Sequence, residues 1–178
     1  MCYYLDMAHI HAKPGQHDFT ASAFIVRLDT PKPSLMLHMH KKLHKYLQFG
    51  GHVELHETPW QAVTHEIAEE SGYDITQLKL LQPQVRLKKL TDAVLHPQPI
   101  YLQTHQFADT DHYHTDVAFA FVTSEEPSGS IHAGESADIR LFTLDELKAM
   151  PVGQIAENVR DTGIFVLEEC LEHWQVVQ

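Results

Sequence analysis

One short helix constrains the fold of this chain more than any other segment. Thr58 is a good N-cap residue, Pro59 suits the first helical position, and Gln61 stands where a capping-box partner belongs. Gly72 then provides a C-terminal stop. Three apolar side chains at helical spacing form one face that can pack on a core: Trp60, Val63 and Ile67. The sequence therefore predicts a capped amphipathic helix that begins after Thr58 and ends before Gly72.

The neighbouring face of this helix carries three glutamates, Glu66, Glu69 and Glu70, within a sector of about 100°. Like charges at these spacings cost roughly 0.2–0.5 kcal/mol per pair, and the helix dipole disfavours negative charge in the last turn. A solvated acidic face is the alternative interpretation. However, carboxylates on a rigid helix beside Gly50 and Gly51 are ligands that Mg²⁺ or Mn²⁺ prefers, and a bound cation turns the repulsion into attraction. The pattern therefore favours a divalent metal site.

The rest of the chain indicates an α/β or α+β sandwich, because regular alternation of strands and helices is missing. Further helices are predicted at about 144–150 and 154–173. The 178 residues with 43% hydrophobic content predict a single domain over 1–178, with a core at about 19–150 and a C-terminal helix at about 154–173. Strands are predicted at 19–28, 35–40, 78–90, 100–107, 117–123 and 139–142.

Charge and cysteine usage exclude several classes of protein. The 24 acidic residues outnumber the 13 Lys and Arg, so a broad surface for nucleic-acid phosphates is disfavoured. Cys2 and Cys170 lie near opposite ends without a CxxC motif, which argues against a disulfide framework and fits a reducing compartment. No apolar run approaches the roughly 18 residues of a spanning helix, and no secretory signal is evident. We expect a cytoplasmic protein without nucleic-acid-polymer or membrane partners.

The segment from Gly51 to Tyr73, GHVELHETPWQAVTHEIAEESGY, resembles the Nudix box. That motif is Gly, five residues, Glu, seven residues, then Arg-Glu-hydrophobic-x-Glu-Glu-x-Gly-hydrophobic. Residues 46–50 and 138–147 are similar to Nudix flanks, so the resemblance covers about 19–150. It implies a Nudix-like α/β/α sandwich with a mixed central sheet. The residues that match the box are Gly51, Glu57, Glu66, Ile67, Glu69, Glu70 and Gly72.

The resemblance also implies a hydrolase that cleaves the diphosphate linkage of a nucleoside diphosphate attached to another moiety, with Mg²⁺ or Mn²⁺ as cofactor. By this resemblance Glu66, Glu69 and Glu70 are metal ligands. Gly51 offers its backbone carbonyl, and Glu57 supports the site from its loop. The partner is then a small-molecule nucleotide or nucleoside diphosphate derivative, and a homodimer is left open. The competing class is a non-catalytic Nudix-like module that senses nucleotides.

The chain departs from the box at His65, which stands where the family has Arg. An arginine fork clamps carboxylates better than an imidazole does. His65 lies four residues before Glu69 and can reach it or Glu57, so our hypothesis is that protonated His65 partly replaces the clamp. A surface histidine without a role is the alternative. Tyr73 fills the last hydrophobic position of the box, and Phe49 replaces a usual proline.

Further candidates lie outside the box. Glu135, in the loop before the strand predicted at 139–142, is the best candidate for a fourth ligand or general base, with Glu125 and Glu126 as alternatives. A solvated loop charge is the other interpretation of all three glutamates. The substrate-binding candidates are Lys45, Tyr46, Phe49 and Arg86. The alternative for the two basic residues is a solubilising turn, and the alternative for the two aromatic residues is core packing.

Several of the 15 histidines lie two residues apart, which places their side chains on the same face of a strand. The groups are His38 with His40, and His112 with His114 and Asp116. A three-histidine zinc site is one interpretation, and histidines exposed on strands without a ligand are the commoner one. The peptidase motif HExxH is rejected because Glu69 stands where its second histidine belongs.

Overall fold

A computed structural model of the chain describes residues 12–13, 15–106 and 111–178. Within them, nine strands form one sheet: β1 His17–Arg27, β2 Ser34–His40, β3 Lys45–Leu47, β4 Phe49–His52, β5 Lys79–Gln82, β6 Tyr101–Gln106, β7 Tyr113–Thr123, β8 Ile139–Thr143 and β9 Gln175–Val177. The helices are α1 Pro59–Ser71, α2 Leu144–Ala149, α3 Glu157–Phe165 and α4 Leu171–His173. A 3-10 turn spans Ile75–Gln77, and a π-helical segment, Val166–Cys170, joins α3 to α4.

Strand β1 organises the sheet. It runs parallel to β7 along its whole length, from His17 beside Tyr113 to Arg27 beside Thr123, whereas the other strand pairs are antiparallel. The main path is β3-β2-β1-β7-β5-β9, and β4, β6 and β8 pair with β1, β7 and β2. Because β4 pairs with the first half of β1 and β2 with its last residues, β4 lies beside the centre of the sheet.

The two faces of the sheet bury separate cores, as the alternation of β1 predicts. Phe24 and Val26 pack with side chains of α2 and α3 on one face. Ala23 and Ile25 pack with Ile67 and the rest of the apolar face of α1 on the other. Helices therefore cover both faces of a mixed sheet, which confirms the expected α/β/α sandwich.

Some element boundaries differ from those expected. The strand predicted at 78–90 ends at Gln82, because Pro83 cannot continue the ladder, and residues 83–100 are irregular. The C-terminal helix starts at Glu157, and β9, which was not predicted, follows it. Phe107 and Cys2 lie outside the described residues. Among the described helices, none is both long and apolar enough to cross a membrane. The limits proposed for a single domain stay a prediction.

Candidate active site

Helix α1 has the caps that its sequence predicts. The Thr58 hydroxyl accepts the N–H of Gln61, and the Gln61 side chain accepts the N–H of Thr58 at 2.9 Å. At the other end Gly72 adopts the left-handed conformation, with φ at 74°, and returns its N–H to the carbonyl of Ala68. These local bonds fix where the helix begins and ends. They thereby fix the direction in which its glutamates point.

Two glycines on β4 lie against two of these glutamates, Glu66 and Glu70. The N–H of Gly50 donates to Oε2 of Glu70 at 2.7 Å. A Cβ atom on Gly51 would overlap the carboxylate of Glu66, so only glycine allows that side chain to lie against the strand. Gly50 and Gly51 belong to β4 rather than to a loop, and their pairing with Ser22 and Ala21 of β1 holds them in place.

The carboxylates of α1 are placed at a high electrostatic cost. Burial raises the pKa of Glu66 to about 7, with His65 opposing the shift and the charges of Glu69, Glu135 and Glu57 adding to it. Burial also raises the pKa of Glu70 well above its usual range, against the opposing hydrogen bond from Gly50. Five carboxylates thus lie close enough for their charges to interact around Glu66 and Glu70: Glu57, Glu66, Glu69, Glu70 and Glu135. A divalent cation among them offsets both the burial and the repulsion, so this all-oxygen donor set fits Mg²⁺ or Mn²⁺.

His65 lies between two of these carboxylates. Its Nε2 is 3.0 Å from Oε1 of Glu69, and its Nδ1 is 3.5 Å from Oε1 of Glu57. Partial burial lowers the pKa of His65, but the hydrogen bond to Glu69 and the charges of Glu69, Glu66 and Glu57 outweigh it, so the pKa is raised above 6.5. The imidazole therefore bridges the same two glutamates that the sequence offered as alternatives. Its role as a clamp stays a prediction.

Glu135 reaches the site on a loop that is tied to α1. The N–H of His132 donates to the carbonyl of Glu69 at 2.7 Å, and the N–H of Glu135 donates to the carbonyl of His132 at 3.0 Å. Lys41 also donates to the carbonyl of Gly134. The alternatives to Glu135 lie in other surroundings. Arg27 binds the carboxylate of Glu126, and the backbone carbonyl of Glu125 accepts the Tyr73 hydroxyl.

The structure does not bring the four substrate-binding candidates together. Phe49 is fully buried and packs against His38, and Tyr46 is 5% exposed and packs against Phe142. Core packing therefore accounts for both rings, which have little or no exposed face for a ligand. Lys45 is the half-buried first residue of β3. Arg86 donates to the carbonyl of Pro83 in a cleft beside β5 and β9, whose lining contains none of the five carboxylates.

A buried histidine that sequence reasoning did not assign to this site lies behind Glu70. Nδ1 of His38 is 3.8 Å from Oε1 of Glu70. Burial, with a smaller contribution from the nearby His40, lowers the pKa of His38 to about 4, so the ring is neutral. From the sequence alone, His38 is distinguished only by its spacing of two residues from His40. Which helix β2 faces depends on the order of strands, and no local pattern reveals that order.

The comparisons with known proteins agree with this geometry. The family model for the NUDIX domain matches residues 18–161, most of the chain. None of the curated proteins is a significant match to the sequence. A solved NUDIX-family hydrolase from Clostridium perfringens is 28% identical, with a TM-score of 0.67 over 86% of this chain and 97% of that one.

Two more distant structures share the fold. An Ap4A hydrolase from C. elegans is 18% identical with a TM-score of 0.58, over 84% of this chain and 97% of that one. The NUDIX domain of Shewanella oneidensis NrtR, solved with ADP ribose, is 13% identical with a TM-score of 0.57, over 92% and 95% of the two chains. The chain belongs to the NUDIX family and is an enzyme of the Nudix hydrolase class.

Proposed function

We propose that this enzyme uses Mg²⁺ or Mn²⁺ to hydrolyse the diphosphate linkage of a nucleoside diphosphate joined to another moiety. The observation that carries the proposal is the pair of carboxylates held against Gly50 and Gly51 of β4: Glu66, which is half-buried, and Glu70, which is buried. Their charge is costly in this position unless a cation is bound. A fold that needed stability alone would not bury them.

Different residues of the chain bind the metal, position its ligands and accept the proton. When bound, the divalent ion neutralises the diphosphate and makes a bound water more acidic. Glu66, Glu69 and Glu70 hold the cation, with the carbonyl of Gly51 as a further oxygen donor. His65 keeps Glu57 and Glu69 in place. Glu135, on the loop tied to α1, is the group proposed to accept the proton of the attacking water.

The substrate is a small nucleotide derivative. The Ap4A hydrolase and the ADP-ribose-bound domain that share this fold make dinucleoside polyphosphates and ADP-ribose the first compounds to assay. Lys45, partly exposed on β3, is the candidate for phosphate contact that we retain. Arg86 would contact only a substrate that extends to the β5–β9 cleft. The cytoplasmic location and a homodimer stay predictions.

The test is release of nucleoside monophosphate from a panel of nucleoside diphosphate derivatives, with Mg²⁺, with Mn²⁺ and with chelator. We expect release that requires metal and falls by about a hundredfold in Glu70→Gln, since the variant loses a ligand. Glu172→Gln, an exposed carboxylate on α4, is the matched control and keeps full activity. Binding of these compounds without metal-dependent release would refute the proposal in favour of the sensor module.

A further inference from the structure

A second cluster of metal-ligating side chains lies on the face of the sheet opposite α1. His52 of β4, His112 and His114 each offer a donor atom, and the three atoms lie within 4.8 Å of one another. Their rings also pack edge to face, with centroids 5.0 Å apart for His52 and His114 and 5.1 Å for His112 and His114. Strand pairing brings the cluster together, because His52 lies beside Thr20 and His114 beside Asp18 on the central strand β1.

Asp18 adds an oxygen donor to these three nitrogens. Its Oδ2 is 3.3 Å from Nε2 of His112 and 3.8 Å from Nε2 of His52. Ligands of a tetrahedral zinc ion with bonds of 2.0–2.1 Å lie about 3.3 Å apart. The two contacts of Asp18 are near that spacing, whereas the donor atoms of the three histidines lie only within 4.8 Å of one another and close in when an ion binds. The group is also mostly enclosed: the Asp18 side chain is 5% exposed and that of His112 is 12% exposed. Asp18 contacts two of the three histidines but is outside the group whose donor atoms all lie within 4.8 Å of one another, so its carboxylate has to turn toward His114 to complete a four-ligand site.

Asp116, which the sequence grouped with His112 and His114, has a different role. It accepts hydrogen bonds from the hydroxyls of Thr20 and Ser22, both at 2.9 Å, and from the hydroxyl of Tyr101 at 2.8 Å. These three bonds hold β1, β6 and β7 together below the histidines. Asp116 thus helps to hold the strands that carry the cluster, and we do not include it among the ligands.

We propose that His52, His112, His114 and Asp18 bind one Zn²⁺ ion at a structural site separate from the carboxylates of α1. Imidazole nitrogens favour zinc over Mg²⁺ or Mn²⁺, whereas the all-oxygen set on α1 favours the latter two. Four protein ligands leave no open position for a substrate, which is typical of structural zinc. The ion would connect β4 to the first residues of β1 and β7.

The test uses Co²⁺ as a spectroscopic probe in the full-length protein, after chelation and dialysis, with excess Mg²⁺ present to occupy the carboxylates. We expect one equivalent of Co²⁺ with the intense visible absorption of a tetrahedral site, displaced by one equivalent of Zn²⁺. His112→Ala and Asp18→Asn each weaken this binding at least tenfold, on the scale expected for the loss of a ligand. His173→Ala, which removes an exposed histidine from α4, leaves it unchanged.

Two further controls distinguish the loss of a zinc ligand from unfolding and from metal binding at the carboxylates of α1. Circular dichroism of each metal-free variant identifies any substitution that unfolds the chain, and the conservative Asp18→Asn remains the deciding variant if an alanine variant fails to fold. Glu70→Gln keeps the tetrahedral signal, because its carboxylate belongs to the other site. A weak octahedral spectrum, or a signal that survives in His112→Ala and Asp18→Asn, would overturn the zinc site. Neither readout depends on hydrolysis, so the result is independent of the proposed function.

Discussion

Replacing Glu66 with glutamine should stabilise the metal-free protein at neutral and alkaline pH. The pKa of Glu66 is raised from 4.5 to about 7, mainly by burial. Below about pH 4.5 the carboxyl is protonated in both the folded and the unfolded chain, and its raised pKa costs nothing. As the pH rises from 4.5 toward 7, the Glu66 carboxyl is ionised in the unfolded chain but stays largely protonated in the folded one. The folded state therefore loses up to about 3 kcal/mol, at ~1.4 kcal/mol per pKa unit.

Urea unfolding with chelator present, repeated between about pH 5 and pH 8, measures this difference. The stability of Glu66→Gln minus that of the wild type should grow by up to about 3 kcal/mol over that range. Glu172→Gln, on the exposed surface of α4, is the control for loss of a carboxylate outside the cluster. With Mn²⁺ present the order should reverse, because the wild type keeps the ligand that the variant lacks. A difference that stays flat with pH, or that falls, would refute the reasoning.

Three other substitutions test individual parts of the site. His65→Arg should flatten the pH profile of kcat/KM, whereas wild-type activity declines as the pH rises through the raised pKa of His65; identical profiles would remove the clamp. Glu135→Gln should lower kcat by at least about tenfold and Glu125→Gln by less than about twofold; a smaller loss in Glu135→Gln would withdraw it as the base. Gly51→Ala should weaken Mn²⁺ binding by about tenfold, because its methyl group displaces the carboxylate end of Glu66 from β4. Unchanged Mn²⁺ affinity would show that this close approach does not position the ligand.

The parts of the site that could be predicted from the sequence depend on local chemistry. Thr58 and Gly72 cap α1 through bonds to neighbours four or fewer residues away, so the pattern alone indicates where the helix begins and ends. The spacing of Glu66, Glu69 and Glu70 on that helix follows from its geometry. The reach of His65 to Glu69, four residues along one helix, follows in the same way.

What could not be predicted depends on which strands pair. His38 lies near Glu70 because β2 pairs with β1 in a register that turns the His38 side chain toward the face covered by α1. No single stretch of sequence encodes that pairing. His52 joins His112 because β4 and β7 both pair with β1, although 60 residues separate them in sequence. The burial of Phe49 follows from the same pairing, and its aromatic ring alone could equally indicate a binding surface.

The pleat of β4 explains how one strand can serve two metal chemistries without mixing them. Successive residues of a strand point to opposite faces, so Gly51 lies toward Glu66 and the oxygen donors of α1, while His52 lies toward the nitrogen donors of His112 and His114. A shift of one residue in the pairing with β1 would place an imidazole among the carboxylates and a glycine in the histidine cluster. Gly50 opposes such a shift, because its N–H is bound to Glu70. The register of this one strand therefore keeps the site proposed for Mg²⁺ or Mn²⁺ and the site proposed for Zn²⁺ chemically distinct.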